Sequence, residues 1–206
     1  MLMSKRLRGA VLGTLLALAA VGVIGWLTMR VIAPHPDTER YRQRQPGVML
    51  VDGFRSYSSV ADALSLLQAR ARLVSRRTLA RPPDRRYPPH ALDSVTVERY
   101  PLLGTTGRLS LQFFNDRLLE VGFEPDDAAA AAAALKLSYP ALQRDRNGRA
   151  EWVEAKRRIA TNVELASSSV GRSLTTQPYV LWQDMRLIRQ RDAWDQAYGA
   201  LPYKMQ

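Results

Sequence analysis

The sequence predicts an α+β domain, an antiparallel sheet with helices packed on it, standing behind a single N-terminal transmembrane helix. Three observations carry this. An apolar run without a charge fills residues 9–29. Between residues 94 and 123, apolar and polar residues alternate in three successive segments, the period of strands that bury one face. Before and after those segments, apolar residues recur every three or four positions or follow an acidic start, the pattern of helices. The composition agrees with a packed protein: 206 residues, 46% hydrophobic and 24% charged, with 12 Gly and 12 Pro. That length suits one domain plus appendages.

Residues 1–8 hold Lys5, Arg6 and Arg8 and read as a cytoplasmic basic N-terminus. Residues 9–29 then make a helix of about 31 Å at ~1.5 Å per residue, enough to cross a bilayer core. Trp26 lies near its far end, where interfacial rings are enriched. The run is longer than the core of a cleaved signal peptide, and no A-x-A site follows it, since Ala33 precedes Pro34. It is read as an uncleaved signal anchor. Gly9, Gly13 and Ala17 place small residues on one stripe, where a second membrane helix can pack closely. The basic cluster before the helix lies within a few residues of its end, whereas of Arg30, Arg40, Arg42 and Arg44 after it three are ten or more residues away. The expected orientation is therefore N-in, with the domain in the periplasm of a Gram-negative inner membrane.

Residues 30–47, with Pro34, Pro36 and Pro46 among many charges, read as a stem holding the domain, 48–206, off the bilayer. A helix follows: Ser59 and Asp62 have capping-box spacing, and Val60, Leu64, Leu67, Ala71 and Val74 share one face. Residues 76–90 combine five arginines with Pro82, Pro83, Pro88 and Pro89, which fits neither helix nor central strand, so an exposed loop is expected. Segments 94–100, 108–114 and 117–123 form a three-stranded meander, with Asn115 and Asp116 turning between the last two. Asp126 and Asp127 then open a helix through the seven alanines 128–134 to Leu137, acids at its N-terminal dipole.

After a turn at Asp145, Asn147 and Gly148 the theme repeats. Ile159, Thr161, Val163 and Leu165 alternate as one strand, residues 179–182 form another, and a helix runs from about Arg191 to Tyr198. Residues 114–119 resemble 182–188 with Met185 inserted, which suggests two diverged strand-strand-strand-helix units, 94–138 and 157–199.

Few residue sets here suit catalysis. The chain has no cysteine, which removes disulfides, thiol nucleophiles and Cys-ligated metals, and only two histidines, His35 and His90. Ser167 to Gly171 make no nucleophile elbow, and Gly104 to Gly107 lack the lysine of a phosphate-binding loop. Glu120, Glu124, Asp126 and Asp127 are the densest acids. A hydrolase reading would pair them; strand alternation and helix capping explain them without chemistry. Asp145, Asn147 and Gly148 lack the spacing of a calcium loop. The expectation is a protein that is not an enzyme and holds no metal or cofactor.

Charge directs attention to partners. The net charge is +11, and residues 1–92 hold fifteen of the thirty basic residues but five of the nineteen acidic ones. A pI of about 10.5 suits nucleic acid, but a periplasmic domain excludes that partner, and no aromatic-interleaved basic strand occurs. The expected partners are the lipid bilayer and a membrane or periplasmic protein. Arg76, Arg77, Arg81, Arg85, Arg86 and Tyr87 are the candidate partner-binding residues. Trp194, Tyr198 and Tyr203 form a candidate aromatic surface, although Trp182 and Trp194 also suit a core. The predicted function is a noncatalytic, membrane-anchored binding or scaffolding subunit of an envelope complex. The alternative is an accessory subunit of a respiratory, photosynthetic or secretion complex, held mainly through its transmembrane helix.

Overall fold

The computed structural model of the protein describes residues 34–68, 74–146 and 149–201. The expected membrane segment 9–29 with Gly9, Gly13 and Ala17 lies outside them, as do Ala71, Asn147, Gly148 and Tyr203. No helix among the described residues is long and apolar enough to cross a membrane. The chain divides into two units, residues 1–38 with 84–88 and residues 39–83 with 89–206. In the described part of the smaller, the Asp37 N–H donates to His35 Nδ1 at 3.1 Å, and Arg86 Nη2 donates to the Asp84 carboxylate at 2.7 Å.

Helix α1 (Thr38–Arg42) leads into the larger unit. Strands β1 (Met49–Val51) and β2 (Phe54–Arg55) form a small ribbon around Asp52 and Gly53, both at positive φ. Helix α2 (Val60–Gln68) starts with the expected capping box: the Asp62 N–H donates to Ser59 Oγ at 3.1 Å and the Ser59 N–H to Asp62 Oδ2 at 2.9 Å. Val60, Ala63 and Leu67 are its buried face. Val74, the last residue of the predicted helical stripe, belongs instead to a strand.

That strand, β3 (Val74–Ala80), corrects the expected loop over its first part. Arg76 and Arg77 lie in a ladder with β4 (Ala91–Leu102), paired with Val95 and Ser94. The prolines begin only at Pro82, so nothing in 74–80 lacks a backbone donor. Strands β4, β5 (Thr105–Phe114) and β6 (Leu118–Pro125) are the predicted meander, each longer than the alternation showed. Asn115 and Asp116 turn β5 into β6 with φ of 50° and 57°, and Phe114 and Arg117 exchange both backbone hydrogen bonds across them. This is the two-residue turn whose left-handed positions favour Asn and Asp. Helix α3 (Ala128–Ser138) follows, with Asp127 Oδ1 accepting from the N–H groups of Ala129 and Ala130.

The second half builds β7 (Gln143–Arg144), β8 (Ala150–Glu154), β9 (Arg157–Thr161), α4 (Val163–Ser167), α5 (Ser169–Ser173), β10 (Val180–Asp184) and α6 (Met185–Tyr198). Two expectations are corrected here. The strand through Val163 and Leu165 ends at Thr161. Asn162 Oδ1 accepts from the Tyr179 N–H at 2.7 Å and its amide donates to Gln177 at 2.9 Å, anchoring the bend where α4 begins. Val163 and Ala166, three apart, then face the core as a helix requires. The correspondence of 114–119 with 182–188 is not one of conformation. Asn115 and Asp116 form a turn, whereas Gln183 and Asp184 end β10 and Asp184 caps α6, which starts six residues before the predicted Arg191.

All eight strands of the main sheet pair antiparallel, in the order β3-β4-β5-β6-β10-β9-β8-β7, so the two meanders join through β6 and β10. Val95, Leu111, Val121, Trp182 and Ile159 are successive register partners across five strands, and each is 0% exposed. Helices α2, α3 and α4 complete this core with Leu67, Leu135 and Val163 among others. The register row beside it, Ser94, Gln112, Glu120, Gln183 and Arg158, is polar and points to the other face. Helices were expected on one face only. Phe114, however, alternates to the face opposite Phe113, and there it meets His90, which stacks on Trp194 of α6.

Candidate functional site

The predicted partner-binding arginines do not form one patch. Arg76 Nη2 reaches the buried Asp93 carboxylate at 2.7 Å, and Thr78 Oγ1 donates to the same oxygen. Arg77 points to the opposite side of β3, exposed and without an ion pair among the described residues. Arg81 turns inward: its guanidinium lies 4.7 Å from the Trp194 ring centroid and donates to the carbonyls of Tyr198, Gly199 and Leu201, closing the C-terminal end of α6. Arg85 is exposed and Arg86 is engaged with Asp84. Tyr87 is corrected as a contact residue, being buried. The aromatic surface is corrected too. Trp194 is 0% exposed, because His90 and Tyr198 cover it with centroids at 4.1 and 5.6 Å.

What remains outward is the edge itself. β3 ends the sheet among the described residues, and all seven of its side chains are exposed. An edge strand presents a row of backbone donors and acceptors to any extended segment, and charged side chains on it restrict which segments can pair.

A second arrangement, absent from the sequence reading, involves residues 39–46. This latter part of the expected stem 30–47 lies on the domain as a strap. Four of its backbone carbonyls are captured by distant side chains. Gln190 Nε2 donates to Arg40 O at 3.2 Å, Asn115 Nδ2 to Tyr41 O at 3.1 Å, Arg117 Nη1 to Gln43 O at 3.0 Å and Arg186 Nη2 to Pro46 O at 3.1 Å. Arg44 adds an ion pair with Asp116 at 2.8 Å. Backbone carbonyls exist at every residue, so the strap leaves no mark in its own composition. The one local signal was Arg117, a charge between the turn and an inward-facing Leu118.

Below the strap the charges are buried. Asp184 is 0% exposed and accepts from Ser56 Oγ at 2.7 Å, from the Arg186 N–H at 2.9 Å and from Arg186 Nη2 at 2.6 Å. Burial pushes its carboxyl pKa up, but the bonds from Arg186 and Ser56 outweigh that and hold it below the usual carboxylate value. Arg117 is 1% exposed and meets carbonyls, Gln190 and the Tyr57 and Phe114 rings, with no carboxylate among the described residues. Burial lowers its pKa, yet a guanidinium stays charged. The Tyr57 ring has Arg186 at 4.8 Å and Arg117 at 5.9 Å, and burial raises the pKa of its phenol.

Beside the strap lies an open cleft of about 490 Å³, lined by Arg42, Arg44, Arg81, His90, Asp93 and Asn115 among others. His90 is 8% exposed, and its Nε2 stands 3.6 Å from the Asp195 carboxylate. Burial lowers its pKa, against the pull of Asp195. The acids weighed for hydrolysis serve other ends: Glu120 accepts from Gln183, Glu124 from Arg108 and Gln177, Asp126 from Thr106, and Asp127 caps α3. No group of three or more His, Asp or Glu placed to hold a metal occurs among the described residues. No protein-family model and no curated protein matches the sequence.

Proposed function

We propose that this protein is a noncatalytic, membrane-anchored binding or scaffolding subunit of a bacterial envelope complex. Residues 9–29 form its single transmembrane anchor in the inner membrane, the N-terminus is cytoplasmic, and the α+β domain faces the periplasm. The domain binds an extended, acidic segment of a membrane or periplasmic protein along β3. One observation carries this reading: a seven-residue terminal strand, wholly exposed, with Arg77 unneutralised beside its backbone edge. Arg76, already held by Asp93, is expected to contribute less than Arg77. The anchor raises the concentration of this edge near membrane partners, so a weak strand contact suffices.

Purification of the full chain in mild detergent tests the proposal. One stoichiometric partner is expected, and Arg77→Glu is expected to release it without changing the melting temperature. A lone chain, or a complex indifferent to Arg77→Glu, would count against β3 as the contact. Topology is read separately. The chain has no cysteine, so Leu137→Cys, at an 85% exposed site, reports the side of the membrane through an impermeant maleimide. Labelling before lysis is expected.

A further inference from the structure

The strap turns a flexible tether into a fixed one, and that bears on what the domain meets first. Nine residues, 30–38, lie between Met29 and Glu39, so ten chain steps keep the start of the strap within about 35 Å of the end of the apolar run. From Arg40 to Pro46 the chain is held by Gln190, Asn115, Arg117 and Arg186.

The surface around the strap is basic on balance: Glu39 is an exposed acid on it and Arg44 is neutralised by Asp116, but three arginines exceed them. Arg40 and Arg42 on the strap and Arg189 on α6 are exposed and meet no carboxylate among the described residues. Arg189 is one turn from Arg186 and adjacent to Gln190, both of which grip the strap. Arg117 beneath the strap is a buried cation that meets no carboxylate among the described residues. The opposite end of the meander differs. β5 runs ten residues, about 33 Å at ~3.3 Å per residue, from the Asn115–Asp116 turn to an end where Arg108 pairs with both Glu98 and Glu124. At the strap end Arg40, Arg42 and Arg189 meet no carboxylate among the described residues; at the other end the exposed acids without an ion pair among the described residues are Asp126 and Asp127.

We infer that the strap surface, Arg40, Arg42 and Arg189 with the adjoining cleft, docks on the phosphate headgroups of an anionic bilayer. The inference rests on the membrane-anchor reading above. The occupant is a lipid surface because charge complementarity and the short chain between apolar run and strap both select it, and the recognised chemistry is that of clustered phosphate monoanions. Arginine suits this task, since its planar fork can take two phosphate oxygens at once.

The test uses the full chain in nanodiscs of phosphatidylcholine alone or mixed with phosphatidylglycerol. Two single-cysteine reporters, Gln43→Cys on the strap and Ala129→Cys at the acidic end, carry a fluorophore. In anionic discs the strap reporter is expected to be quenched by a headgroup nitroxide lipid and shielded from acrylamide, while the Ala129 reporter stays in water. In phosphatidylcholine discs both are expected to stay in water. At about 5-fold per arginine near an anionic surface, Arg40→Gln, Arg42→Gln and Arg189→Gln together are expected to lower the docked population on the order of 100-fold. All three are exposed positions outside the core, so the variant keeps its fold, read from an unchanged melting temperature. Chain that alkaline carbonate strips from the bilayer would remove the anchor reading and this inference with it. Chain that stays inserted, yet shows a strap reporter indifferent to lipid composition or to the triple variant, would overturn the docking alone.

Discussion

Asp127 and Asp184 are the N-caps of the helices that follow β6 and β10, two strands that pair with each other, and each accepts from backbone N–H of its helix's first turn. Their surroundings differ. Asp127 is exposed, and its Oδ1 meets only the first turn of α3. Asp184 is fully buried and also holds Ser56 and Arg186, and Arg186 in turn holds Gln45 and Pro46 of the strap. One cap is a local device. The other joins α6, the β1–β2 ribbon and the strap, so the same carboxylate chemistry carries tertiary structure once its far oxygen is occupied.

Replacing each aspartate separates the two roles. Asp184→Ala leaves Arg186 and Ser56 without their acceptor in a buried setting and is expected to destabilise the domain by about 3–5 kcal/mol, read by denaturation of the full chain in detergent. Loss of less than about 1 kcal/mol would reduce Asp184 to an ordinary cap. Arg117→Met comes next. It strands the Gln43 carbonyl and the Gln190 amide oxygen, for an expected cost of about 2–3 kcal/mol, with faster proteolysis between residues 39 and 46 as the specific sign of a loosened strap. Asp127→Ala is expected to cost about 1 kcal/mol and to leave that proteolysis unchanged.

The two meanders were unequally legible, for a physical reason. The first is a run of local decisions. Alternation of period two, an Asn-Asp turn and an aspartate before seven alanines each act within a few residues, and all were readable. In the second, Ile159, Thr161 and Val163 satisfy a strand, yet Val163 and Ala166 satisfy a helix, and over so short a span the two periods cannot be told apart. What decides is Asn162 bonding to Gln177 and Tyr179, a contact with the far side of α5. The strap was illegible for a stronger version of that reason. Its bonds join residues 74, 140 and 150 positions apart and use carbonyls that every residue has. The edge strand at Arg76 and Arg77 was visible as charge but not as strand, because prolines a few residues later dominated the reading.

A pH titration sharpens the comparison further. His90 is held below its ordinary pKa by burial, so the unfolded chain takes up a proton near pH 6.5 while the folded one does so only at lower pH. Stability is therefore expected to fall as pH drops through that range. The Asp184 contribution goes in the same direction but is lost only below the ordinary carboxylate range, near pH 3.9. His90→Phe keeps a ring against Trp194 and is expected to flatten the slope between pH 7 and 5 while leaving the acid limb intact. An unchanged slope would assign it to another group.

The Asn115–Asp116 turn carries one more consequence, in the order of events by which the chain folds. Asn115 Oδ1 accepts from the Ala91 N–H, its amide donates to Tyr41 and Pro89, and Asp116 Oδ1 accepts from the Val60 N–H at the start of α2. A two-residue hairpin closes within microseconds, long before segments tens of residues apart find each other. Once closed, it presents finished docking points to three separate stretches of chain. Asn115→Ala and Asp116→Ala are therefore expected to slow folding far more than they speed unfolding, with φ-values near 1, whereas Asp127→Ala gives a φ-value near 0.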